Sequence, residues 1–492
     1  MNAQNNTQKV IKGISSQTVV TIALGIVEVL SFSIMSRLLT KEDFGYYAAI
    51  TAITAVFSSF SETGIGSAII QKKTIDKGFI NSAFTLNLLF GLVISFSLYL
   101  LAGPLSRVIL DESMTKPLRI MAVTLFCHCL TSINFSLMRR NLQFLRVGII
   151  NLISLVFATV IAVFLAVKGY GYYAILAKSV VASVLALIIS QILVRAKCSL
   201  SFDFSVFKSI FSFSGWLMAG AVFRNLSGQV DRLMMGKLLS VSSLGMYNRP
   251  KEFIGQIGTK LNSIFDTALF PVLSGIQDDI NGLQRSFMTS LYYLNIFASF
   301  LTVGFIINHE LIIRVFMGEH WLTVKLIFTI LSISLLFNID GRLADCYLRS
   351  LGLTKVQFFF RVAETVCKII GVYIGARWDV LGVVVCVVII DVLIKLLKTC
   401  FVSKVLNINL LTSFRTIVSG WKSSFIILIL CACLSVCFEH SFWANIGLFS
   451  CFALLVLVVF FFFPSVVGRR YQNEAFPVLY GYVKNRLSIL KH

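Results

Sequence analysis

Nine charged residues lie inside apolar sequence, at spacings that give them chemical uses. Three are acids, Glu28, Glu62 and Asp231. Six are bases, Arg224, Arg232, Arg249, Lys251, Lys260 and Arg342. A carboxylate in such surroundings can take a proton or Na⁺, and a guanidinium can grip a phosphate through its planar fork. Charges at this depth are costly, by about 2.5–3.5 kcal/mol each on insertion scales, and usually face a bundle interior or an aqueous cavity. On a helix, Gln17, Thr21, Gly25 and Glu28 share one face. Thr51, Thr54, Ser58 and Ser61 form a second stripe, with Glu62 beside it. Arg224 and Asp231 share a face, and Asn225, Gln229 and Arg232 the adjacent one. Glu252, Gln256, Thr259, Ser263 and Asp266 recur at helical spacing, with Arg249, Lys251 and Lys260 nearby. Asn338, Arg342, Asp345 and Arg349 make the last stripe.

Two uses are open to these residues. Glu28, Glu62 and Asp231 are candidates for ion coupling. The cations are candidates for binding an anionic substrate, because they outnumber the acids on the same helices. Alternatively, Arg224 with Asp231, or Arg342 with Asp345, form internal ion pairs that only lock helices together. Glu364 and Lys368, four apart, read as such a structural pair. Asp391 has no assigned role. Lys178 is expected to snorkel to a membrane interface, and His128, alone in its span, to belong to the core. There is no Gly-rich phosphate loop, nucleophile elbow or His/Glu metal spacing, so no catalytic residue, metal or cofactor is expected.

The elements that carry these stripes follow from composition. The 492 residues are 57% hydrophobic and 13% charged, with mean hydropathy +0.87. A soluble domain carries about 25% charge, so a soluble multidomain enzyme is excluded. The apolar residues fall in runs long enough, as helices, to cross about 30 Å of hydrocarbon. The reading is an all-α polytopic membrane protein of about fourteen spans. They lie at 13–36, 44–70, 80–103, 118–138, 147–167, 172–194, 207–234, 241–273, 286–307, 321–348, 356–376, 379–402, 420–438 and 442–463. The first, second and eighth are over-long, which tilt or extension would absorb. Spans three, five, nine, thirteen and fourteen, nearly free of charge, read as lipid-facing. With both termini in the cytoplasm, cytoplasmic segments hold 25 Lys/Arg and the opposite side 10. The positive-inside rule thus accounts for most of the net charge of +21, and no nucleic-acid surface is implied.

The chain also echoes itself. Leu38-Leu39-Thr40 with Gly45 and Tyr47 is matched by Leu238-Leu239-Ser240 with Gly245 and Tyr247. Gln71 pairs with Gln277, Arg107-Val108 with Arg314-Val315, and Met138-Arg139 with Leu348-Arg349. Six spans per repeat preserve orientation, so the halves are parallel repeats of the kind that suits alternating access. The expected organisation is a six-helix bundle at 1–200, a second at 201–415, and a helix pair with a cytoplasmic tail at 416–492.

The stretches SRLLTKEDFGYYAAI (36–50), GIGSAIIQKK (64–73), SLMRRNLQF (136–144), LFPVLSGIQDD (269–279) and MGEHW (317–321) resemble the Wzx-type polysaccharide transporters. These belong to the multidrug/oligosaccharidyl-lipid/polysaccharide exporter superfamily, and the likeness is to the colanic-acid and teichuronic-acid branch. The resemblance implies a flippase of lipopolysaccharide or exopolysaccharide biosynthesis in a bacterial inner membrane. Its substrate would be an undecaprenyl-diphosphate-linked oligosaccharide. Its surroundings would be membrane lipids and, as a further partner, the polysaccharide polymerase machinery. A cation-coupled multidrug exporter of the same superfamily is the competing reading, and it would need an acid-dominated, aromatic site. A membrane-embedded polymerase would need a sizeable extramembrane loop, which these spans do not leave.

Overall fold

The computed structural model describes residues 2–61, 65–72, 75–109, 111–194, 201, 204–264 and 269–437. Among them every regular element is helical, as expected. Packing divides the chain into two compact units, Met1–Asn248 and Arg249–His492. The first holds α1 (Asn2–Leu38), α2 (Lys41–Ser61), α3 (Ile65–Gln71), α4 (Lys77–Ile109), α5 (Thr115–Arg140), α6 (Phe144–Val167), α7 (Tyr172–Val194), α8 (Phe204–Leu238) and the start of α9 (Val241–Ile264). The second continues with α10 (Phe270–Gly275), α11 (Ile280–Ile307), α12 (His309–Phe316), α13 (Lys325–Ser350), α14 (Thr354–Gly375), α15 (Asp379–Val405) and α16 (Leu410–Cys437). The packing boundary falls inside α9 and not at the 200/201 break, because α8 lies against α2 and α4.

Among the described residues, eight helical stretches are long and apolar enough to cross a membrane, with mean hydropathy from 1.6 to 2.9. The last of them, Thr354–Val405, covers α14 and α15 together. The fourteenth expected span, 442–463, lies outside the described residues. Within the over-long spans 44–70 and 241–273, the described residues form α2 and α3, and α9 and α10.

Burial corrects the lipid-facing assignment. Only 22% of the apolar window of α4 and 33% of that of α6 are buried, as outer helices require. For α11 the figure is 56%. Its Leu283, Phe287 and Leu291 form a core with Leu343 and Tyr347 of α13 and Val402 of α15. The span 286–307 lacks charge and reads as lipid-facing, but apolar sequence alone does not separate a lipid face from a protein face.

The repeat is visible in local geometry. Thr40 caps α2, its hydroxyl oxygen accepting the Asp43 N–H at 3.2 Å while its own backbone N–H donates to the Asp43 carboxylate at 3.0 Å. Ser240 caps α9 by accepting the N–H of Ser243 at 3.1 Å. The α5–α6 and α13–α14 turns share one closing pattern. Gln143 N–H donates to the Met138 carbonyl (2.9 Å), and Leu353 N–H to the Leu348 carbonyl (2.8 Å). The left-handed position falls on Leu142 (φ 56°) in one turn and Gly352 (φ 72°) in the other.

The two matching glycines are required by contact. A Cβ on Gly45 would lie 1.9 Å from the Val241 carbonyl oxygen, and one on Gly245 would lie 1.8 Å from that of Lys41. The first turns of α2 and α9 therefore meet backbone to backbone. Gly245→Ala is expected to cost about 1–3 kcal/mol through overpacking and to lower the melting temperature in detergent. Gly255→Ala, which meets nothing within 4 Å, is the control that should leave it unchanged.

Candidate functional site

Helical periodicity turns the polar stripes of α1 and α2 inward, where they meet α5, α6, α7 and α8 around a cavity of about 990 Å³. The whole cavity lies in the first unit. Glu28 enters it from α1, Thr51, Thr54 and Ser58 from α2, and Arg224 from α8. The hydroxyls of Thr51 and Thr54 donate back to the carbonyls of Tyr47 (2.7 Å) and Ile50 (2.8 Å). Their oxygens thus face the cavity chiefly as acceptors. Beside Arg224, the Asn225 amide donates to Ser59 Oγ at 2.8 Å and pins α8 to α2, which sets the rotation that turns Arg224 inward.

The remaining wall is α5, whose contribution the sequence reading missed. Thr124, His128, Thr131, Phe135 and Arg139 follow one another at three- and four-residue steps and all line the cavity. From Thr124 to Arg139 the wall runs about 22 Å at 1.5 Å per residue. His128 is exposed to this space rather than buried in a core. Its helical register with Thr124 and Thr131 was the available signal. The neighbouring arginines divide the work. Arg139 lines the cavity, while Arg140 donates to the carbonyls of Ile69 (2.6 Å) and Lys72 (2.6 Å) and closes the end of α3. Among the described residues the cavity thus carries two guanidinium groups against one carboxylate, amid hydroxyls and few aromatic rings.

The structure brings Glu28 and Arg224 to one cavity and places the other described candidates elsewhere. Arg232 is half-buried and donates to Gln229 Oε1 at 2.9 Å. Asp231, 2% exposed, accepts the Tyr247 hydroxyl and the Arg232 backbone N–H (3.0 Å). Arg249, 3% exposed, is paired with Glu252 at 3.0 Å. Lys251 and Arg342 belong to the second unit. Glu62 and the side chain of Lys260 lie outside the described residues. Lys178 does not reach for an interface, since its ammonium donates to Ser31 Oγ of α1 at 2.5 Å.

The second unit holds a ladder of alternating charges that the sequence reading saw only in part. Lys395 donates to Asn338 Oδ1 (2.5 Å) and lies 3.3 Å from Asp391. Lys368 bridges Asp391 and Glu364, at 2.8 Å each. Lys398 lies 3.8 Å from Glu364 and 3.5 Å from Asp345. Three lysines and three carboxylates thus balance across α13, α14 and α15. The Glu364–Lys368 pair is real but is one rung, and Asp391 finds its role as another. Lys395 and Lys398, counted among the cytoplasmic loop cations, are buried in α15 at 12% and 5% side-chain exposure. Among the described residues, no group of His, Cys, Asp and Glu could hold a metal ion.

Residues 34–326 match the family described as "Polysaccharide biosynthesis protein". The chain is 23% identical over 364 residues to the lipopolysaccharide biosynthesis protein WzxC of Escherichia coli (strain K12), covering 73% of each chain. It is 24% identical over 350 residues to the succinoglycan biosynthesis transport protein ExoT of Rhizobium meliloti (strain 1021), covering 70% of this chain and 69% of ExoT. Among solved structures it resembles the lipid II flippase MurJ in an inward closed conformation. The TM-score is 0.72 at 17% identity, over 90% of this chain and 98% of MurJ.

Proposed function

The chain belongs to the polysaccharide biosynthesis protein family, and from that premise we propose that it flips undecaprenyl-diphosphate-linked oligosaccharides across a bacterial inner membrane. It is a multi-pass helical membrane protein with a transporter fold, and transport rather than bond-making is its activity. The observation that carries the substrate reading is the first-unit cavity. A diphosphate attached to sugars cannot cross about 30 Å of hydrocarbon unaided. Arg139 and Arg224 offer charge-assisted, bidentate contacts to phosphate oxygens. The Ser and Thr walls offer acceptors to sugar hydroxyls. The isoprenoid tail would stay in lipid while the head group used the wet cavity, and alternating access would pass the head group to the other leaflet. Polymerase machinery would then act on the delivered units.

The same proposal places both termini in the cytoplasm and keeps the repeat organisation of 1–200, 201–415 and 416–492. A cysteine introduced at Glu319, which is exposed, should label in intact cells, and one at Asn81 only after permeabilisation. The multidrug-exporter alternative has Glu28 in its favour, but two guanidinium groups in the cavity repel a cationic drug. Thermal melting of the purified protein with undecaprenyl diphosphate or with ethidium separates the two readings. Ligand at 100 times its dissociation constant adds about 2.7 kcal/mol, so undecaprenyl diphosphate should raise the melting temperature by several degrees. Stabilisation by ethidium instead would favour the drug-exporter reading.

A further inference from the structure

Outside the charge ladder, the second unit contains one buried acid with no ion pair among the described residues. Asp340 on α13 is 1% exposed. Its Oδ1 accepts from the Asn295 amide at 2.7 Å, and its Oδ2 has no hydrogen-bond partner. The orientation of that amide is fixed by chemistry. The Trp421 indole of α16 donates to Asn295 Oδ1 at 2.8 Å, and an indole N–H can only donate. The amide nitrogen therefore faces Asp340 and also the Leu291 carbonyl, at 2.8 Å. Every polar group of Asn295 is thus used, and the group it turns toward Asp340 is a donor.

The surrounding charges are committed elsewhere. On α13, Asp345 pairs with Lys398, and the half-buried Arg342, two residues on from Asp340, leaves the helix on a different face. On α15, the stem of Lys395 crosses α13 at Gly341, where an added Cβ would meet its Cγ at 2.6 Å, but its ammonium goes to Asn338 and Asp391. On α14, Glu364 and Lys368 are rungs of the ladder. On α16, Arg415 and Lys422 are exposed, and on α11 the one charge, Arg285, is exposed ten residues before Asn295; beside Asn295 lie the tyrosines Tyr292 and Tyr293.

An ionised carboxylate buried without a counter-ion costs several kcal/mol. A hard cation such as Na⁺ requires a shell of oxygen ligands, and Asp340 faces an amide N–H and an indole-held side chain instead. A proton satisfies the site. A purely structural partner for Asn295 would leave no carboxyl oxygen idle in this interior.

We propose that Asp340 carries a proton of the transport cycle, holding it in the conformation described and releasing it only when the junction of α11, α13 and α16 admits water. Proton loss is then tied to a conformational change, because the closed junction offers the anion a single hydrogen bond. The α16 helix is held at this point by close packing as well. Ser299 and Ser424 hydroxyls are 2.7 Å apart, and a Cβ on Gly420 would lie 2.9 Å from that of Asn295. Ionisation of Asp340 therefore acts on the seat of α16. The inference rests on the transport reading for its role in coupling, but not for the protonation itself.

The test has two arms. In native membranes, the lipid-soluble dicyclohexylcarbodiimide, which modifies protonated carboxyls, should label the peptide containing Asp340, with labelling lost at alkaline pH and unaffected by Na⁺. Labelling of other carboxyls but not Asp340, or protection by Na⁺ at constant pH, would overturn the proposal. In proteoliposomes carrying an undecaprenyl-diphosphate-linked saccharide, Asp340→Asn should keep gradient-free exchange and lose acceleration by an imposed pH gradient, while Asp340→Glu keeps part of it. Full acceleration in Asp340→Asn would overturn the coupling role. If the wild-type protein moves no saccharide at all, the transport reading fails, and the carbodiimide arm still decides whether Asp340 holds a proton.

Discussion

Lys368→Ala is expected to destabilise the folded protein by about 3–5 kcal/mol, the usual result of taking one partner out of a buried ionic network. Lys368 touches two carboxylates, Glu364 and Asp391, at 2.8 Å each, and is itself 9% exposed. Removing it leaves three acids against two lysines, and neither Asp345 nor Lys395 can move to correct the balance without breaking another rung. The loss should appear as a lower melting temperature and less folded protein in the membrane. Restoring neutrality with Lys368→Met and Asp391→Asn together should recover much of it, since a balanced apolar replacement of a buried ion pair is often neutral. A melting temperature unchanged by Lys368→Ala would mean the ladder is hydrated and holds nothing together.

Arg224→Ala should act on transport instead. The residue is exposed to the cavity, and its neighbour Asn225 fastens α8 to α2 through Ser59. A charge-assisted hydrogen bond is worth about 1.5–3 kcal/mol, so its loss should weaken diphosphate binding about tenfold or more. Protein level and melting temperature should persist. Arg224→Lys should recover part of the activity, because the charge remains while the fork is lost. Arg139→Ala should behave alike. If Arg224→Ala instead reduces folded protein in proportion to activity, the guanidinium is a structural group.

The contrast between these two sites explains what the sequence could and could not disclose. Periodicity placed Glu28, Thr51, Thr54, Ser58 and Arg224 on inward faces because each stripe repeats at 3.6 residues amid apolar sequence. The α5 wall obeys the same period. Within the apolar run His128 is the wall's one titratable group, and Arg139, at the end of that run, satisfies the positive-inside rule equally well as a loop cation. The ladder failed for a related reason. Lys395 and Lys398 lie near the end of an apolar run, where the positive-inside rule and burial make the same demand on sequence. Only the rotation of α15 against α13 and α14 separates them, and rotation is set by packing. Arg249 erred in the opposite direction. Its charge was legible, but its pairing with Glu252 three residues on removes it from the set of free ligands.

The central claim is that the cavity of the first unit carries a lipid-linked diphosphate sugar across the membrane. Its most direct test is translocation in proteoliposomes loaded with a fluorescent undecaprenyl-diphosphate-linked oligosaccharide. The fraction of head groups accessible to an impermeant glycosidase is followed over time. The wild-type protein should bring the initially protected head groups within reach of the enzyme, and Arg224→Ala and Arg139→Ala should slow this about tenfold or more. Head groups that stay protected in wild-type vesicles as they do in protein-free ones, or variants that flip at the wild-type rate, would contradict the account.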